Sequence, residues 1–208
     1  MSDIRQGRMI VLVDDDDNSA SEGIVMLAAE HCDAFHVNFM ARQARGLVCL
    51  ALTRDRCEQL ELTSMVIGGS DKKPNFTTSI EAAKGIETGI SAADRAHTIQ
   101  TAVASFASPA DIVQPGHIFP LMVASGGVLM RAGLTEAASD YAGLSGLTPA
   151  AVVSDILSSK GELADKSELS EFANKHQLKI GSMADLINFR LRNEHTIKRI
   201  RTGKIETL

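Results

Sequence analysis

Strand-length apolar runs recur along the chain and alternate with stretches of helical spacing, and this alternation limits the fold more than any other feature. MIVLV (9–13), IVMLAA (24–29), GLVCLAL (46–52) and AVVSDIL (151–157) each suit a buried strand. Between them the period changes. Phe35, Phe39 and Met40 share a helical face within 33–45, and a short helix is expected over 54–60. Ser91-Ala92-Ala93-Asp94 reads as a capped start, with Ser91 as N-cap, of a helix reaching about Phe106. Further helices are expected from about Leu134, over 167–177, and from the cap Ser182 to about residue 200. NFTTSIEA (75–82) and LKI (178–180) read as strands, whereas 110–133 is rich in Gly and Pro. Strands and helices mix without a strict βαβ rhythm, and there is no internal repeat or linker. The expectation is α+β, of the α/β sandwich type: a single domain over 1–208 with a mixed sheet flanked by helices.

A chain of 208 residues, 44% hydrophobic, can fill one such core. With 4% aromatics and no Trp, that core must be aliphatic, Ala and Met. The net charge of −5, with no dense basic stripe, argues against a nucleic-acid partner. The locally basic RLRNEHTIKRIRTGK reads as the solvated face of the last helix. Cys32, Cys49 and Cys57 are odd in number and have no paired spacing, which points to buried packing residues in a reducing compartment. The N-terminal MSDIRQGRMIVLVDDDD lacks a signal-peptide pattern, and no apolar run approaches the ~18–20 residues of a membrane span. A cytoplasmic protein without a membrane partner is expected. IGGSDKKPN (67–75) reads as a mobile surface loop.

Three places invite chemistry. Arg131, Gly133 and Thr135 gather at an expected helix N-terminus, where free backbone N–H groups, a guanidinium and a hydroxyl suit a phosphate or carboxylate. A small phosphorylated or anionic substrate is the ligand this predicts. The alternative is an Arg131–Glu136 pair beside an ordinary Thr cap. Asp14, Asp15, Asp16, Asp17 and Glu22 crowd one turn; they can attract magnesium, or form a solvated acidic turn shaped by Asp17 or Asn18. His117 follows Pro-Gly beside Ile118 and Phe119, and suits either an acid–base role or a hydrogen-bonded structural one.

Several motifs, in order, resemble the 3,4-dihydroxy-2-butanone 4-phosphate synthase family of riboflavin biosynthesis. Pro115-Gly116-His117-Ile118-Phe119-Pro120-Leu121 is similar to its Pro-Gly-His-x-Phe-Pro-Leu, with Gln114 in place of the usual Arg. Gly126-Gly127-Val128-Leu129 matches, and Arg131-x-Gly133-x-Thr135-Glu136-Ala137 resembles Arg-x-Gly-His-Thr-Glu-Ala. Gly46-Leu47-Val48-Cys49, Ser91-Ala92-Ala93-Asp94-Arg95 with Thr98, Glu171-Phe172-Ala173 with His176, and the ending LINFRLRNEH extend the likeness over nearly the whole chain. In two-domain riboflavin enzymes a second domain follows such an ending; here none is expected.

The resemblance implies conversion of ribulose 5-phosphate to dihydroxybutanone phosphate plus formate, with a divalent metal, usually magnesium, at a homodimer-associated site. Forming an enediol needs a base beside the carbonyl and charge stabilisation on oxygen. Mapped residue by residue, it makes Asp155, Glu22 and His117 the acid–base candidates, and Arg131, Gly133, Thr135 and Asp94 the substrate-binding set. The chain also departs from the pattern. The loop Arg-Glu-Asn-Glu-Gly-Asp becomes Ser19-Ala20-Ser21-Glu22-Gly23-Ile24, and the His of the phosphate motif becomes Leu134. The family's metal-ligand positions are thus Ala20 and Leu134, so no metal ligand is assigned, with Asp15, Asp16 and Asp17 as the weaker alternative. Asp155, preceded by Ser154, stands for a Glu and shortens its reach by ~1.5 Å. Three functions are compatible with this pattern: the family reaction, a diverged reaction, with or without metal, on a related anion, or an inactive binding or regulatory homologue.

Overall fold

The computed structural model describes residues 1–14, 22–65 and 75–194. Its elements run α1 (Ser2–Arg5), β1 (Ile10–Val13), β2 (Gly23–Ala28), α2 (Ala34–Phe39), β3 (Cys49–Thr53), α3 (Arg54–Gln59), β4 (Asn75–Phe76), β5 (Ile80–Ala82), α4 (Ala92–Val103), β6 (Ile112–Val123), α5 (Leu134–Leu144), β7 (Ala151–Asp155), α6 (Lys166–His176), β8 (Lys179–Ser182) and α7 (Met183–Asn193). Among the described residues one sheet has the order β4-β6-β3-β7-β2-β1-β8, with β5 also on β6. The β1–β8 and β3–β6 pairs are parallel, and the other pairs are antiparallel. The expected mixed sheet is therefore present.

Strand alternation explains why both faces are covered. Val11, Val25, Leu27, Leu50, Leu52 and Val152 point into one core, which is closed by Val37 of α2, Ile99 of α4 and Leu169 of α6. Their neighbours Leu12, Ile24, Met26, Ala51 and Val153 point the other way, onto Ala137, Ala138 and Ala142 of α5 and Leu186 of α7. Continuous apolar runs are what such doubly covered strands require. The small face of α5 lets that helix lie close to the sheet. Among the described residues, no helix is long and apolar enough to cross a membrane.

Four expectations need correction. NFTTSIEA is not one strand. Asn75 and Phe76 pair with Met122 and Leu121, and Ile80 resumes opposite Ile118. Between them Thr77 and Thr78 turn aside to Ser64 and Thr63. The helix expected to reach Phe106 stops at Val103. The carbonyls of Ala104 and Ala107 are taken instead by Arg56 and Gln59.

The third correction matters most. The Gly- and Pro-rich stretch contains β6, the longest strand described. Pro120 still accepts the Thr77 N–H at 3.0 Å. Gly116 is needed for close approach, since a Cβ there would lie 2.1 Å from the Ile80 carbonyl oxygen. The last helix, expected to about residue 200, ends at Asn193, where Glu194 turns extended. The expected loop over 67–75 lies outside the described residues except for Asn75, as do Asp15, Asp16, Asp17 and Ala20 of the acidic turn.

Candidate functional site

The strand β6 delivers the chain to a tight turn and then to α5. Gly126 and Gly127 both take left-handed backbone angles, φ +100° and +63°. Gly133 then caps α5 in an extended conformation. The carboxylate of Glu136, wholly buried, is folded back against it: a Cβ on Gly133 would lie 2.6 Å from Glu136 Oε2. Glu136 Oε1 accepts the Ala124 N–H at 3.0 Å and a short bond from Arg131 Nη2. The Arg131–Glu136 pair weighed from the sequence is real. It does not bury the guanidinium completely, because Arg131 keeps 18% side-chain exposure and lines a cavity.

That cavity, of about 400 Å³, lies where α5 begins and where β2, β3 and β7 present side chains. Arg131, Gly133, Thr135, Glu22 and Asp155 all line it. Asp155 ends β7. Burial pushes its carboxyl above the usual carboxylate range, against a smaller opposing pull from its own backbone N–H. Gly46 lies so close to this strand end that a Cβ would be 2.3 Å from the Asp155 carbonyl oxygen. Cys49 also faces the cavity. Burial, with the Asp155 charge adding to it, raises its thiol to about 12, which makes it a protonated packing residue rather than a nucleophile. Ile24, Phe76, Leu121, Leu134 and Val153 form an apolar wall between the charged groups.

His117 and Asp94 do not line this cavity. They belong to a second cluster. Asp94, in the first turn of α4, accepts the backbone N–H groups of Thr88 at 3.2 Å and Gly89 at 3.0 Å. Burial alone would raise its carboxyl, but the Gly89 N–H, the bond with Ser91 and further loop N–H groups outweigh this and hold it low. Gly89, at φ +79°, packs on Glu81, and Glu81 Oε1 lies 2.6 Å from His117 Nδ1. Within one chain, the expectation that His117 and Asp94 join Arg131 and Asp155 is therefore corrected. The cause is strand length: His117 precedes Leu121 by four residues on β6, about 13 Å of extended chain.

Among the described residues the cavity lining assembles no magnesium site. Leu134 presents an isobutyl group to the cavity. Among the described residues no three His, Cys, Asp or Glu side chains are placed to share a metal ion. Asp14 and Glu22 do line the cavity, and Glu136 is engaged with Arg131.

Fold and cavity together define a helix-flanked mixed-sheet protein with a polar cavity at a helix N-terminus. The chain belongs to the 3,4-dihydroxy-2-butanone 4-phosphate synthase family, whose profile matches residues 1–189. It is 51% identical over 209 residues to the 3,4-dihydroxy-2-butanone 4-phosphate synthase of Pseudomonas syringae pv. tomato, covering 100% of this chain and 56% of that protein. It is 48% identical over 210 residues to the riboflavin biosynthesis protein RibBA of Aquifex aeolicus, covering 100% and 52%. The chain thus spans about half the length of these relatives.

Among solved structures it resembles RibBX, a two-domain 3,4-dihydroxy-2-butanone 4-phosphate synthase of A. baumannii, with TM-score 0.93 and 51% identity over 99% of this chain and 61% of that one. A 3,4-dihydroxy-2-butanone 4-phosphate synthase in complex with two magnesium ions matches with TM-score 0.86 and 31% identity, covering 94% and 96%.

Proposed function

We propose that the chain is an enzyme of the dihydroxybutanone-phosphate-synthase type, acting on ribulose 5-phosphate and releasing formate. The observation that carries this is the convergence in one cavity of the Arg131–Thr135 cradle and the Asp155 carboxyl at the end of β7. The first-turn N–H groups of α5, with Arg131 and Thr135, hold the phosphate. Asp155 and Glu22 move protons at the far end, a raised carboxyl being better matched to neutral pH. His117 serves the cavity of a second copy in a homodimer, so that each active site draws on both chains, while Asp94 holds the neighbouring loop in shape. No step is assigned to magnesium, since the described residues present no converging ligands for it. The three cysteines are all free, consistent with the reducing cytoplasm.

One observation favours a second reading. Leu134 and Ile24 stand on the apolar wall of the cavity, at two positions where the family carries polar groups. On this reading the cradle is kept for a different phosphorylated or acidic molecule and the reaction has diverged.

The test is formate release from ribulose 5-phosphate by the purified chain with and without magnesium, beside a variant carrying Ser19→Arg, Ala20→Glu, Ile24→Asp and Leu134→His. Turnover by the native chain is expected. Turnover by the restored variant alone would transfer the assignment to the second reading, and formate from neither would leave a binding homologue.

A further inference from the structure

The loop carrying Arg131 runs from Ala124 to Gly133, and its only regular structure is one short turn at Gly127–Leu129. Its shape is fixed from below. The carbonyl of Gly127 accepts the N–H of Met130 at 3.0 Å and of Arg131 at 3.1 Å, so the backbone of Arg131 hangs from Gly127. Asp140 of α5 packs against this glycine: a Cβ on Gly127 would lie 2.2 Å from Asp140 Oδ1. Asp140 Oδ2 accepts the Val128 N–H at 2.9 Å.

Arg190 of α7 closes the arrangement. Its Nη1 donates to Asp140 Oδ2 at 2.6 Å and to the Gly126 carbonyl at 3.0 Å. Its Nε and Nη2 donate to the two oxygens of Glu194, each at 2.7 Å. Arg190 and Asp140 are only 14% and 15% exposed, so the pair is shielded from water and from salt. One planar guanidinium therefore ties a helix, a second helix and the turn between strand and cradle. A lysine cannot copy this, having a single nitrogen for three acceptors in different directions.

We propose that Arg190 is a positioning residue for the anion cradle: through Gly126 and Asp140 it holds the loop in the shape that aims Arg131 into the cavity. It touches no ligand itself. The proposal rests on the reading of the cavity as an anion site.

The experiment compares wild type, Arg190→Ala, Arg190→Lys, Glu194→Gln and Arg131→Ala as full chains, each below its own melting temperature. Dissociation constants for inorganic phosphate are measured by calorimetry, with KM and kcat for ribulose 5-phosphate where turnover is present. Arg190→Ala and Arg190→Lys are expected to weaken phosphate binding by about tenfold and to raise KM with kcat changed far less, the pattern of lost uniform binding. Glu194→Gln loosens only the outer clamp, and a shift of about twofold in the same direction is expected. A residue that merely stabilised the fold would lower the melting temperature and leave the constants of the folded fraction unchanged. Wild-type constants in Arg190→Lys, with Arg131→Ala defective, would therefore overturn the proposal alone. Absence of phosphate binding in wild type would overturn it together with the anion-site reading.

Discussion

The chain holds two polar constellations of similar size, and they are built on opposite plans. Around Arg131 the charges sit at the rim of a cavity, paired by a buried glutamate but still facing open space. Around His117 the polar groups are satisfied among themselves: Asp94 gathers loop N–H groups, Glu81 packs on Gly89, and His117 binds Glu81 on the half-exposed surface. The first arrangement lines a cavity. The second has made its own bonds and offers only the outer edge of an imidazole. The difference teaches that a motif identifies a polar group reliably, whereas its role depends on which cavity, and whose, the group faces.

Removing the guanidinium tests the first plan most severely. Arg131→Ala takes away the cradle's charge and leaves Glu136 buried without its partner. Unfolding in urea is expected to show a loss of roughly 3–5 kcal/mol, and phosphate binding should vanish from calorimetry. A variant that keeps its affinity would break the contrast between the two regions.

The second plan is tested across chains. His117→Ala is expected to leave stability within ~0.5 kcal/mol, as for an exposed side chain. It should nevertheless lower turnover by roughly a hundredfold, the ordinary contribution of a proton-transfer group. Mixed in equal amounts with Arg131→Ala and allowed to exchange subunits, it should recover about a quarter of wild-type activity, because half of the two-fold dimers then hold one site with both residues. No recovery would confine His117 to a structural role.

The smallest effect is a slope. The carboxyl of Asp155 is raised in the folded chain, so the stability it contributes is complete below the ordinary carboxylate value and is lost as pH rises through the folded value. Asp155→Asn removes that loss. Thermal unfolding should show the variant gaining on wild type as pH rises above the ordinary carboxylate value. Parallel pH curves for the two would mean that this end of the cavity is as wet as the His117 cluster.

Much of the fold was legible because doubly covered strands announce themselves. IVMLAA and AVVSDIL became β2 and β7 nearly as expected, and Ser91 and Ser182 cap helices through their side chains as expected. What escaped was β6. Its two prolines and a glycine interrupt any strand pattern, and its partners β3, β4 and β5 lie elsewhere in the chain. Local spacing cannot report pairings of that kind. The cradle was legible for the opposite reason, since Arg131, Gly133, Thr135 and Glu136 fall within six residues. The Arg190 tie was not, because it joins residues 64 and 50 positions apart.

The strand that escaped also sets a length. On β6, His117 belongs to one constellation, Leu121 lines the cavity, and the chain leaves directly for the Arg131 turn. A strand has a fixed rise and a two-residue period, so inserting or deleting one residue between His117 and Leu121 would turn the imidazole to the other face and move it by about 3.3 Å. The interval is a gauge bar rather than a connector. If two copies pair about a symmetry axis, the same bar is used twice, and one dimension of one strand sets the separation between what each chain keeps and what it lends.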